Sequence, residues 1–392
     1  MDAIKRKKIL ILSSISFNDN VIPMFKAMQE KGLDVTCLIE LKFEKACLIN
    51  IKERLPKQAI IKASEYPEMK VFEKYLDINK LYFINHKVDK KHAWRELTST
   101  MDIIRFINHG KYDIIHTDMA YWWSKVLLYF YRNKTVQITH DSIPHSSQKQ
   151  SWQRTLFLYL KYKLIKYFVI LNKTDYSYFC DIHKLNKEHV FINALGPFDF
   201  IRVHYDKSIK VRKNNILFFG RIESYKGLEY LCEAMQIVHK YLPDATLTIA
   251  GKGDYYFNVD EYKKLPYFEF INRFVEEEEL ARLIQQCEVS ICPYTDATQS
   301  GSILTSFSFF KPVIASDLET LREVITDGYN GLLVPPKDSR TLAEKILDFL
   351  LNENIKISIS KNLEYEFLNG ERSWNAIVDK YISIYKYIIS KK

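Results

Sequence analysis

An arginine and a lysine stand five residues apart in the stretch FFGRIESYKG (218–227), just after a short apolar run and a glycine. Arg221 offers a planar fork of donors that matches phosphate oxygens, and Lys226 adds a mobile point charge. The run ILFF (216–219) is of the type buried on both faces of a parallel sheet, and Gly220 allows the backbone to turn sharply at its end. A helix starting near Gly227 would aim its first amides at an anion. The combination suits a diphosphate. The plain alternative is a surface loop with two solvated cations.

Further along, ATLTIAGKGD (245–254) reads as a strand ending in Gly251 and Gly253, and SICPYTD (290–296) as a third strand end. In QSGSILTSFSFFKPVIASD (299–317) a Ser-Gly turn opens an apolar helix, and a Lys-Pro leads into another strand. The amino-terminal half alternates in the same way. KKILILSS, DVTCLIE, YDIIHTD and TVQITHD read as strands, and VIPMFKAMQEKG as a helix ending at Gly32. Such alternation predicts doubly wound parallel sheets. The amino-terminal strands end in polar clusters: Ser13 and Ser14, His116 to Asp118, and His140 to Pro144.

A chain of 392 residues, 47% hydrophobic, is long enough and apolar enough for two cores. No segment approaches the roughly 20 uncharged apolar residues that span a bilayer. The apolar run Ile9–Leu12 near the start is too short for a signal peptide and reads as a first strand. The six cysteines have no paired spacing, which argues against disulfides and zinc and for a reducing, cytoplasmic compartment. Residues 1–195 carry a net charge of +12 and the remainder −3. Within the basic half, QKQSWQRTLFLYLKYKLIKYFVI (148–170) interleaves cations with aromatic rings, a composition suited to anionic lipid headgroups as well as to a core-packed helix with a solvated face. The basic residues are otherwise dispersed and match no nucleic-acid module, so a nucleic-acid partner is not expected.

Taken in order, these motifs resemble the donor half of the retaining glycosyltransferases of family four, which have the GT-B fold. The resemblance rests on Gly220, Arg221, Lys226 and Gly227; Gly251 and Gly253; the Glu-rich helix start Glu276 to Leu280; Pro293; Lys311, Pro312 and Val313; and DGYNGLLVPPKD (327–338), so it covers about residues 214–340. It implies an α/β protein of two Rossmann-like domains whose parallel sheets face an interdomain cleft. Residues 1–200 would form the acceptor-side domain, 201–213 a basic linker, 214–370 the nucleotide-sugar domain, and 371–392 a helix crossing back to the first domain.

The implied activity is metal-independent transfer of a hexose-type unit, without a cofactor, from a nucleoside-diphosphate sugar to a glycan or lipid-linked acceptor in cell-surface polysaccharide synthesis. Peripheral contact with the inner face of the membrane would follow from the basic half. Donor binding would fall to Gly220, Arg221, Lys226, Gly251, Gly253, Asp296, Gln299, Ser300, Gly301 and Thr305. Arg221 and Lys226 would also act in catalysis, with His140 and Asp141, while Ser13, Ser14, His116 and His145 would line the acceptor side.

Two departures qualify the resemblance. The loop after the first strand reads SSISFNDN where the family usually has a glycine pair near the donor phosphates. The family's two glutamates, eight positions apart, fall on Ala297 and Thr305 when Lys311-Pro312 is the anchor. A divergent enzyme and a catalytically silent subunit that binds a nucleotide sugar or a partner enzyme both fit that loss. A sugar-nucleotide epimerase would need acidic residues at the sugar ring.

Overall fold

The structure is a computed structural model and describes residues 2–14, 17–41, 60–85, 93–118, 129–140, 161–297 and 300–391. Contacts divide the chain into two compact units, one of Met1–Gly196 with Trp374–Lys392 and one of Pro197–Ser373.

The first unit is built on eight strands: β1 (Lys8–Ser14), β2 (Asp34–Leu41), β3 (Ile60–Lys62), β4 (Leu81–Asn85), β5 (Ile114–Thr117), β6 (Thr135–Thr139), β7 (Tyr167–Ile170) and β8 (Val190–Ile192). Their order is β3-β4-β2-β1-β5-β6-β7-β8, parallel throughout except for β3 against β4. β1, β2 and β5 to β7 are buried almost residue for residue, as parallel strands covered on both faces must be. The winding direction reverses between β1 and β5. Ser13, Ser14 and Asp118 therefore lie at a switch point, where the crossovers diverge and leave a crevice at the carboxyl ends.

The carboxyl-terminal helix Trp374–Ser390 belongs to this unit. Ile377, Val378, Tyr381, Ile384, Tyr385 and Ile388 recur at helical spacing and are all buried. Each such side chain contributes about 1.5–3 kcal/mol through the apolar surface it removes from water. Lys31 pairs with Asp379 at 2.8 Å, and Asn193 donates to the carbonyl of Ile377 at 3.2 Å.

The second unit has six parallel strands, β9 (Asn215–Phe219), β10 (Thr246–Ala250), β11 (Phe268–Ile271), β12 (Val289–Cys292), β13 (Val313–Ser316) and β14 (Leu332–Val334), in the order β11-β10-β9-β12-β13-β14. Here the winding reverses between β9 and β12. The ends of those two strands, Gly220 and Pro293-Tyr294, sit at the corresponding switch point. Lys311 is half-buried and structural: its ammonium donates to the carbonyls of Gln285 (2.9 Å) and Cys287 (2.7 Å), fastening β13 to the turn before β12. Ile201, within the short 3-10 helix Asp199–His204, packs with Leu217 and Phe309 in this unit's core, and residues 205–208 and 210–213 are exposed. Cys37, Cys180, Cys232, Cys287 and Cys292 are free and buried.

Candidate functional site

The strand ends of the second unit converge because four glycines leave room for backbone. Gly220 has φ +137° and Gly227 φ +64°, conformations that L side chains rarely adopt. A Cβ on Gly251 would lie 1.7 Å from the carbonyl oxygen of Gly220, and one on Gly227 2.0 Å from that of Pro293. At Gly253 it would approach the carbonyl of Ile222 to 2.3 Å. The loop 220–227 is thereby clamped between the ends of β10 and β12. Asn272 completes the clamp, accepting from the amide of Gly253 at 3.3 Å and donating to its carbonyl at 3.0 Å.

The two cations of this loop occupy opposite environments. Arg221 is exposed, its guanidinium 2.7 Å from Glu223 and 3.5 Å from the hydroxyl of Tyr225. Such an exposed pair contributes at most about 1 kcal/mol, so a phosphate can displace the carboxylate easily. Lys226 is only 8% exposed. Its ammonium stands 3.7 Å from the centre of the Tyr294 ring and 4.9 Å from that of Tyr225, and it has no ion pair among the described residues. Burial pushes its pKa down to about 8, Arg221 pushes the same way, and Glu223 opposes the shift. The Cys292 thiol is raised to about 11 by its own burial and stays protonated. Lys226 is thus a largely dehydrated cation held over an aromatic face, which offsets about 2 kcal/mol of the desolvation. An arriving anion would supply the missing counter-charge.

Tyr294 connects this cation to the helix Gly301–Ser308, because its hydroxyl accepts from Ser300 Oγ at 3.2 Å. Ser300 caps the helix by accepting from the amide of Ile303, and Ser302 donates to the carbonyl of Phe219 at 3.0 Å, which ties the helix start to the end of β9. The first turn directs its partial positive charge to that end. Thr305 is half-buried on the same helix and Asp296 is exposed. The carbonyl of Ala297 accepts from Thr320 at 2.6 Å. Gln299 lies outside the described residues. This set brings together Gly220, Arg221, Lys226, Gly251, Gly253 and Ser300 from the sequence reading. It adds Tyr294, Ser302 and Asn272, for which the sequence offered only an aromatic after Pro293 and a serine in a helix start.

In the first unit a second polar set forms at the ends of β1, β5 and β6. Ser13 Oγ donates to Asp118 Oδ2 at 2.9 Å, and His140 Nε2 lies 3.6 Å from the same oxygen. Phe17 stacks face to face on His140, with centroids 4.0 Å apart and the planes 4° from parallel. The imidazole therefore has a carboxylate near one edge and a ring stacked on one face. Asn18, 1% exposed at the start of the helix Asn18–Glu30, makes no hydrogen bond with either polar atom of its side chain among the described residues. Leaving such groups unmade costs about 1–3 kcal/mol, an expense that a bound polar group would remove.

His116 stands elsewhere in this unit. It is 2% exposed, its Nδ1 is 2.6 Å from the hydroxyl of Tyr385, and Tyr381 meets it edge-on at 4.9 Å, so it is enclosed by the carboxyl-terminal helix. Burial, and then the charge of His140, lower its pKa to about 3, which keeps it neutral. Ser14 is buried at the end of β1. Asp141 and His145 lie outside the described residues.

Residues 213–352 match the family model described as glycosyl transferases group 1. The chain is 25% identical over 305 residues to an uncharacterized 41.2 kDa protein in the cps region of Klebsiella pneumoniae, covering 72% of this chain and 81% of that one. It is 22% identical over 246 residues to the N,N'-diacetylbacillosaminyl-diphospho-undecaprenol alpha-1,3-N-acetylgalactosaminyltransferase of Campylobacter jejuni, covering 59% and 62%. The fold is similar to that of Anabaena Alr3699/HepE, solved in complex with UDP-glucose, with a TM-score of 0.64 at 15% identity over 98% of this chain and 100% of that one. The chain is thus a glycosyltransferase of the GT-B fold, and its residues 213–352 are similar to the glycosyl transferases group 1.

Proposed function

We propose that this protein transfers a sugar, with retention of anomeric configuration, from a nucleoside-diphosphate sugar to a glycan or lipid-linked acceptor in cell-surface polysaccharide synthesis. The single observation that carries the donor half is Lys226, a buried cation over Tyr294 with no ion pair among the described residues, beside an arginine whose carboxylate partner is readily exchanged. As the bond to the donor sugar breaks, negative charge collects on the departing diphosphate. Arg221 and Lys226 are placed to neutralise it, and the helix start at Gly301 adds amides. The glycines do the positioning, since they let backbone approach where a side chain would stand.

On the acceptor side, His140 is the residue we assign to the sugar or the acceptor hydroxyl, with Asp118 and Phe17 holding its ring. Ser13 supports Asp118, and Asn18 offers a pair of polar atoms unfilled among the described residues. The acceptor class draws on the undecaprenol-linked substrate in the name of the Campylobacter relative. No helix among the described residues is long and apolar enough to cross a membrane. Peripheral contact through the basic first unit, at the cytoplasmic face, is the localisation we propose.

The loss of both glutamates at Ala297 and Thr305 favours one competing reading, a subunit that binds the donor without transferring it. Transfer assays with a labelled nucleotide sugar and an undecaprenyl-diphosphate-linked acceptor separate the two. Transfer that Arg221→Ala abolishes, with retained anomeric configuration by NMR, supports the enzyme. Donor binding with no transfer to any acceptor supports the silent subunit.

A further inference from the structure

A cavity of about 410 Å3 opens at the amino-terminal edge of β6, β7 and β8, the opposite end of the sheet from Ser13 and His140. Arg132, Lys163, Lys166, Lys184, Asn186 and His189 line it, and among the described residues no carboxylate does. Arg132, Lys166 and Lys184 have no ion pair among the described residues. Arg132 lies over the Tyr129 ring at 4.7 Å and Lys166 over that of Tyr167 at 4.9 Å, while Lys184 caps the helix Tyr176–His183 in a left-handed conformation, φ 52°. The rings and the cap restrict where these cations can go. The positive potential is felt locally: burial lowers the pKa of His189, and the charges of Lys166 and Lys391 lower it further against the opposing Glu188.

Cations crowded around a recess without carboxylates repel one another until an anion enters, and walls of low dielectric concentrate the field on that space. The volume falls in the range of small-ligand sites and exceeds what a bare inorganic ion needs. We propose that this cavity binds a phosphate ester on a small polyol, with Arg132, Lys166 and Lys184 holding the phosphate and Asn186 a hydroxyl. The same chemistry is presented by the headgroup of an anionic phospholipid and by a free phosphoester. The site is separate from both polar sets at the strand carboxyl ends, and the proposal stands whatever donor those ends bind.

The test is calorimetric titration of the full chain with glycerol 3-phosphate at low salt, with glycerol as the uncharged control. Arg132→Ala/Lys184→Ala removes two exposed cations of the cavity. Lys187→Ala removes an exposed cation outside it that is paired with Asp181 at 3.6 Å, and thus reports general charge effects. Wild type and Lys187→Ala should bind the phosphoester saturably and glycerol not at all, and each cavity cation removed should weaken binding about tenfold.

Co-sedimentation with phosphatidylcholine vesicles, with and without phosphatidylglycerol, separates the two sources. Sedimentation that needs phosphatidylglycerol and is lost in the double variant identifies a lipid headgroup, whether or not the soluble probe binds. Loss of phosphoester binding with unchanged sedimentation identifies a free phosphoester. Saturation with neither probe, or equal weakening in Lys187→Ala, overturns the proposal. The melting temperature of each variant confirms that the fold is intact.

Discussion

The two switch points of this molecule are built from different materials. In the second unit the ends of β9, β10 and β12 meet through backbone, with glycines at 220, 227, 251 and 253 and cations on a ten-residue stretch. In the first unit the ends of β1, β5 and β6 meet through side chains: Ser13, Phe17, Asp118 and His140, spread over more than a hundred residues. A site made of backbone holds an anion by geometry and fails when a Cβ is added. A site made of side chains degrades by steps as each partner is removed.

The largest expected effect tests the backbone half of that contrast. Gly251→Ala would set a Cβ 1.7 Å from the Gly220 carbonyl, so β9 and β10 must part. We expect destabilisation beyond about 3 kcal/mol and no detectable transfer, read by denaturant titration and a donor assay. A stable, active Gly251→Ala variant would remove the backbone account of the cradle.

Removing charge while keeping the fold comes next. Arg221→Ala and Lys226→Met should each lower transfer about 10²–10³-fold, and Lys226→Met should also raise the melting temperature, because it relieves a buried charge. A fall in melting temperature with unchanged transfer would make Lys226 structural. In the first unit, Asp118→Ala should reduce turnover by only about tenfold, the loss of one charged neighbour of His140. An effect as large as that of His140→Ala would mean that Asp118 itself meets the substrate.

The titration of Lys226 gives a subtler prediction. Its pKa near 8 in the free protein means that donor affinity should be flat below pH 8 and fall with increasing pH above it, as the cation loses its proton. Binding at pH 8.5 should take up a proton, measurable as a buffer-dependent calorimetric enthalpy. For folding the sign is opposite. The unfolded lysine holds its proton more tightly, so this residue's contribution to stability rises with pH between about 8 and the usual lysine range.

The smallest effect concerns the first unit alone. His116 is neutral when folded, with a pKa near 3, and binds a proton in the unfolded chain below its usual value. Stability from this residue is complete above about pH 6.5 and is lost toward pH 3, by up to about 1.4 kcal/mol per unit. His116→Gln should flatten that acid limb without changing donor affinity.

These contrasts also explain what could be read from the sequence. The glycine cradle of the second unit was legible because its turns are written in local spacing. Gly220-Arg221 with Lys226-Gly227, and Gly251 with Gly253, carry the strand ends and the cations in two short stretches. Strand alternation likewise marked β1, β2, β5 and β6 and β9, β10, β12 and β13, since buried parallel strands are short apolar runs, whereas the basic run 148–170, read as a helix, ends in the buried strand β7. Tyr294 was not legible as a site residue, because only the three-dimensional turn after Pro293 sets its ring over Lys226. Asp118 was visible as part of a polar strand end, but its bond to Ser13 spans 105 residues, a pairing no local pattern encodes. His116 shows the converse. Its position at a strand end marked it for chemistry, whereas Tyr385, far away in the chain, takes its ring nitrogen. The substitutions at Ala297 and Thr305 have no structural explanation among the described residues.

Whether the second unit grips a nucleoside diphosphate through Arg221 and Lys226 is decided by a thermal-shift and calorimetric panel of UDP, GDP and ADP sugars on wild type and Arg221→Ala. Saturable stabilisation by the sugars of one nucleotide, lost in the variant, is expected. Stabilisation by none of them, or stabilisation that Arg221→Ala leaves intact, would contradict such a grip.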